Sequence, residues 1–136
     1  MEIWIFCRTF VTEKENNRKT PNKMEQLNHR ICIYIPSTFD GNKPAKRMQK
    51  KATRKAAQRL STYFGGATTT QAVGYWNSPE KGLIAEKQIL VYSACNESDK
   101  AKYTDAVTNF AKAVCRWMKQ EAVTVEIDGT LQFVEA

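Results

Sequence analysis

Four cysteines, a single histidine and a local excess of cations are the residues in this 136-residue chain with the means to do chemistry. Cys7, Cys32, Cys95 and Cys115 lie far apart without a C-x-x-C pair, and His29 has no second histidine to work with. Neither a zinc ribbon nor a Cys/His finger can be assembled from that set, so no metal is expected. Each cysteine falls within an apolar pattern, where it behaves as a small hydrophobe. The thiols are expected to be reduced and the protein cytoplasmic.

A Ser–His–Asp or Cys–His arrangement would have to use His29, which begins a strand with no nucleophile motif beside it. The phosphate-cradling G-x-x-x-x-G-K-[ST], the dinucleotide G-x-G-x-x-G and the metalloprotease H-E-x-x-H are all absent from the sequence. Glu80, Glu86 and Glu97 offer carboxylates around one hairpin, but nothing in their spacing pairs them as acid and base. A binding protein is therefore expected rather than an enzyme, with no cofactor. Turnover that stops on replacing Glu86 or Cys95 would mark the contrary case.

The charge is more telling. The net value is +7, yet Gly41 to Pro79 holds no acidic residue and eight basic ones: Lys43, Lys46, Arg47, Lys50, Lys51, Arg54, Lys55 and Arg59. Of 21 Lys and Arg, that leaves 13 against 14 acidic residues elsewhere, so the excess is local. A localised basic surface suits an anionic partner, although a charged run is also the ordinary solvated face of a helix.

Those residues must be positioned by recognisable elements. His29 to Ile35 reads as a strand with Ile31, Ile33 and Ile35 on one face, ended by Pro36-Ser37-Thr38. Pro44 suits a first helical turn, and the helix Ala45 to Phe64 aligns Met48, Ala52, Ala56, Leu60 and Tyr63, with Gly65-Gly66 as its stop. Residues 67–76 and 83–94 read as a hairpin around the turn residues Asn77-Ser78-Pro79-Glu80-Lys81-Gly82. Asn96-Glu97-Ser98 is cap chemistry for a second helix, Asp99 to Lys119, whose stripe is Tyr103, Val107, Phe110, Val114 and Trp117, widened by Ala106, Ala113 and Met118. Glu121 to Ile127 and Thr130 to Val134 are strands joined at Asp128-Gly129. The expected fold is α+β: a ferredoxin-like β-α-β-β-α-β with an extra C-terminal hairpin strand and both helices on one face of a mainly antiparallel sheet. Residues 1–26 are expected to be a strand and linker extension, with Met24 an alternative start, and 27–136 a single domain. No apolar run reaches the ~20 residues that cross a bilayer.

The two strand–helix units, ICIYIPST and QILVYSACNES, resemble each other. Right-handed crossovers are expected to place these two strands side by side and parallel, so that Ser37 and Thr38 meet Asn96 at one rim near both helix N-termini, a place suited to an anion. Tyr34, Tyr92 or Trp76 would stack on a base, and Arg47, Arg54 and Arg116 would supply charge. Serine, threonine and asparagine are equally at home there as caps and turn formers.

FGGATTTQAVGYWNSPEKGLIAEKQILVYSACNES, with IYIPST upstream and QEAVTVEIDGTLQFV downstream, resembles a small bacterial α/β family of unknown function. Its mark is a G-x-W strand before a short turn and a Glu-bearing strand, here Gly74, Trp76 and Glu86. The likeness covers roughly residues 29–134. The layout also resembles the phage anti-Thoeris proteins that sequester cyclic ADP-ribose-type signals, which implies a compact oligomeric binder without catalytic machinery. The reading is a homo-oligomeric, non-enzymatic binder of a small anionic nucleotide-like ligand, away from membranes. The alternatives are nucleic-acid binding through the basic first helix and a small enzyme.

Overall fold

A computed structural model describes residues 26–136. The expected N-terminal strand, its linker and Cys7 lie outside the described residues. A five-stranded antiparallel sheet has the order β4-β5-β1-β6-β7, built from β1 (His29–Pro36), β4 (Thr68–Ser78), β5 (Gly82–Cys95), β6 (Val123–Ile127) and β7 (Thr130–Val134). The loop after β1 carries a miniature hairpin, β2 (Thr38–Phe39) with β3 (Lys43–Pro44), turning through Asp40 and Gly41 at positive φ. Helices α1 (Lys46–Phe64) and α2 (Glu97–Trp117) cover one face. This is the ferredoxin-like α+β arrangement with β7 added at one edge.

Alternation explains the core. Ile31, Ile33 and Ile35 point to the helices with Val91 and Val125, and all five are fully buried. Ala52, Ala56 and Leu60 of α1 and Val107, Phe110, Ala111, Val114 and Cys115 of α2 complete that layer, with Met118 just beyond. The second helical stripe keeps Val107, Phe110, Val114 and Met118 but widens through Ala111 and Cys115 rather than Ala106 and Ala113, and Trp117 at its end stands 41% exposed. Pro44 precedes the helix instead of opening it, since Ala45 is the N-cap. Gly65 caps α1 at φ 91°, a left-handed geometry that glycine adopts without the Cβ penalty. Asp128 and Gly129 both have positive φ, as a tight hairpin turn demands.

One expectation is overturned. Strands β1 and β5 are antiparallel, with His29 opposite Cys95 and Pro36 opposite Gln88. The tight turn between β4 and β5 reverses the chain, so it is β4, on the far side of β5, that runs parallel to β1. Among the described residues, no helix is long and apolar enough to cross a membrane.

Candidate functional site

The antiparallel pairing separates the proposed anion rim into two ends. Seven residues of strand, about 23 Å, divide the Pro36 end from the Cys95 end. Ser37 and Thr38 lie at the first end. Thr38 pairs with Pro44, and its hydroxyl is buried without a hydrogen-bond partner. Asn96 lies at the other, where its side chain accepts from the Asp99 backbone N–H at 2.8 Å as the N-cap of α2. Arg47 and Arg54 are exposed on α1 and Arg116 on α2, all on the helical side of the sheet. Tyr34, Tyr92 and Trp76 share the other surface, the sheet face away from the helices.

That open face has two distinct regions. In the middle of the sheet, Cys32 is fully buried, with Tyr92 opposite it on β5 and Glu126 opposite it on β6. The Tyr34 hydroxyl donates to Glu126 Oε1 at 2.9 Å, and the Arg30 guanidinium lies 4.0 Å from the centre of the Tyr92 ring. Burial, aided by the nearby Glu126 carboxylate, pushes the Cys32 thiol up to about 11, so it stays protonated and unreactive. The two tyrosines are therefore engaged within the molecule, one by hydroxyl and one by ring face.

The second region is the far end of the hairpin. Strand β1 pairs only with residues 88–95 of β5, so residues 82–87, with 73–78 of β4, extend as a two-stranded ribbon about 20 Å long. The open face of this ribbon carries Trp76 opposite Ile84 and Gly74 opposite Glu86. Trp76 and Glu86 are diagonal neighbours, roughly 7–8 Å apart along the ribbon. Gly74 leaves room that Gln88 occupies: a Cβ there would meet Gln88 Oε1 at 3.3 Å. The G-x-W and glutamate positions that carried the family resemblance are thus gathered on one surface. Trp76 and Tyr92 are eight residues apart along the strands, about 26 Å, too far to share one small ligand. On the opposite face the ribbon exposes Val73, Tyr75 and Leu83. An isolated two-stranded ribbon is marginal in water, and this one exposes large apolar side chains on both faces.

A charged knot at the other end of β1 has no counterpart among the motifs of the sequence. His29 Nε2 lies 2.6 Å from Glu97 and its Nδ1 2.7 Å from Asp128, which also accepts from Lys100 Nζ and from the Arg30 backbone N–H. These partners, Lys100 foremost, hold the Asp128 carboxyl well below the usual carboxylate range. Cys95 sits opposite His29 and superficially completes a Cys–His pair. Both ring nitrogens are already occupied, however, and burial raises the Cys95 thiol to about 11, so the pair is not a nucleophile and base. The knot fastens the start of β1 to α2 and to the β6–β7 turn.

No family model matches the chain, and no curated protein matches it. Solved structures do. A phage SAM lyase in its apo state is 19% identical over 85% of this chain and 97% of its own, with a TM-score of 0.60. A phage SAM lyase in complex with S-methyl-5'-thioadenosine is 17% identical over 85% of this chain and 95% of its own, with a TM-score of 0.57. At these identities the likeness shows a shared fold across nearly the whole of both chains.

Proposed function

We propose that the protein binds a small adenosine-type ligand, S-adenosylmethionine or its methylthioadenosine fragment, on the open face of the ribbon at Trp76, Glu86 and Gln88. A second copy of the chain closes the site. The observation that carries this reading is the juxtaposition of an exposed indole with a half-buried carboxylate beside a glycine. A purine stacks on the ring, and the Glu86 carboxylate attracts the sulfonium and ammonium charges of S-adenosylmethionine. The same carboxylate opposes phosphate. The site therefore favours a cationic or neutral nucleoside over the anionic ligand expected from the sequence, and over a cyclic ADP-ribose-type signal. Support comes also from the shared fold, since one neighbour holds methylthioadenosine. The copy–copy contact is supported by the apolar side chains on both faces of the ribbon.

Calorimetric titration with S-adenosylmethionine, methylthioadenosine and cyclic ADP-ribose tests the reading. Either of the first two is expected to bind more tightly than about 1 mM, and the third not to bind. Chromatography of the cell contents after the titration shows whether S-adenosylmethionine is held intact or cleaved. Heat of binding only for the phosphate-bearing ligand would overturn the proposal.

A further inference from the structure

Helix α1 carries Arg47, Lys51, Lys55 and Arg59 four residues apart, so the four exposed side chains form a single stripe. At 1.5 Å per residue the cations recur about every 6 Å over roughly 18 Å. Lys46, Lys50 and Arg54 form a second, flanking row. Among the described residues, no ion pair engages any of these seven side chains. Beside the stripe, between α1 and the end of α2, is a groove of about 390 Å³ lined by Met48, Lys51, Ala52, Lys55, Trp117 and Met118. Trp117 is 41% exposed there, held edge-to-face against Phe110, with the Lys55 ammonium 4.8 Å from its ring centre. This surface lies on the helical side of the sheet, away from Trp76 and Glu86.

We infer that this face binds single-stranded nucleic acid without sequence preference, its phosphates along the stripe and one unstacked base in the groove against Trp117. Regularly spaced cations beside an exposed indole are the combination that such binding uses: charge follows the backbone while an aromatic plane takes any base. The groove decides between strand types. A duplex keeps its bases stacked and can reach the lysines but not the ring. A base entering the groove moves the Lys55 ammonium off the indole and leaves it beside the phosphate. An acidic polypeptide could satisfy the cations, but it offers no flat, polarisable group for Trp117.

The test is fluorescence anisotropy of a labelled oligothymidine of about 12 nucleotides with the full chain. Four phosphate contacts on a single strand predict an affinity loss of about 50-fold between about 50 and about 200 mM salt. Lys51→Gln with Lys55→Gln should weaken binding and flatten that salt dependence. Trp117→Ala should weaken it about fivefold or more, and Trp117→Phe should restore most of the loss. Lys81→Gln with Lys87→Gln, on the ribbon, should change little. The inference fails if no binding occurs at low salt, or if duplex of equal length binds as tightly. It fails equally if Trp117→Ala has no effect, or if polyglutamate competes as well as the oligonucleotide, which would mark an acidic-protein surface. Calorimetry with methylthioadenosine on the Lys51, Lys55 and Trp117 variants separates the two sites, since these changes lie on the helical side of the sheet, away from Trp76 and Glu86.

Discussion

Ser93 is a small buried residue on which the relative placement of the basic helix and the sheet depends. The residue is 3% exposed, and its hydroxyl donates to the Gly66 carbonyl at 2.5 Å, pinning the loop that leaves α1 to the end of β5, two residues before Cys95. Ser93→Ala removes the donor and leaves that carbonyl without it. A neutral hydrogen bond contributes about 0.5–1.5 kcal/mol net, but an unsatisfied buried acceptor raises the cost to about 1–3 kcal/mol. For a domain of this size the loss corresponds to a fall in Tm of roughly 5–15 °C. Thermal unfolding followed by circular dichroism reads it directly, with Thr70→Ala, an exposed site two residues into the neighbouring strand, as the control. A Tm for Ser93→Ala within about 2 °C of the parent would refute the reasoning, because that shift is worth only a few tenths of a kcal/mol.

Other outcomes follow from the same geometry. Burial, together with the bond to Glu126, raises Tyr34 above its ordinary value. The stability it contributes is therefore complete below about pH 10 and lost as pH rises through the folded value; an ultraviolet titration should show a late component that disappears in Tyr34→Phe. The depressed Asp128 carboxyl acts in the opposite sense: its contribution is present above about pH 4 and lost as pH falls further, so Asp128→Asn should flatten the acid limb of an unfolding profile. Cys32, Cys95 and Cys115 are all buried, so a Cys7→Ser protein should give almost no reaction with a thiol reagent until denaturant is added. Ile84→Glu, opposite Trp76 on the open face of the ribbon, should shift sedimentation toward a smaller species, and an unchanged mass would remove the proposed copy–copy contact.

Most of the fold was readable because its signals are local. Alternating isoleucines in β1, the Gly65 stop, the Asn96 cap and the Asp-Gly turn each act within a few residues, and each stands where the pattern placed it. The direction of β5 relative to β1 is implied by the hairpin read around residues 77–82, but the likeness of the two strand sequences points the other way. The direction depends on the hairpin turn before β5, which reverses the chain, and so the supposed rim of Ser37, Thr38 and Asn96 is split between two ends. Trp117 fits the apolar stripe by spacing, but at the end of the helix the buried side lies at Cys115 and Met118, which leaves the indole 41% exposed. The charged knot around His29 joins residues up to 99 positions apart, beyond any local pattern. Gly74, Trp76 and Glu86 were visible as a motif; that they share one face became clear only from the register of β4 on β5.

The central claim is that the indole and carboxylate of the ribbon form the ligand site. The most direct measurement is calorimetric titration of S-adenosylmethionine and methylthioadenosine into the parent protein, Trp76→Ala and Glu86→Gln. Trp76→Ala should weaken both ligands, whereas Glu86→Gln should weaken cationic S-adenosylmethionine more than neutral methylthioadenosine. Equal affinities across all three proteins, or no binding by the parent, would contradict it.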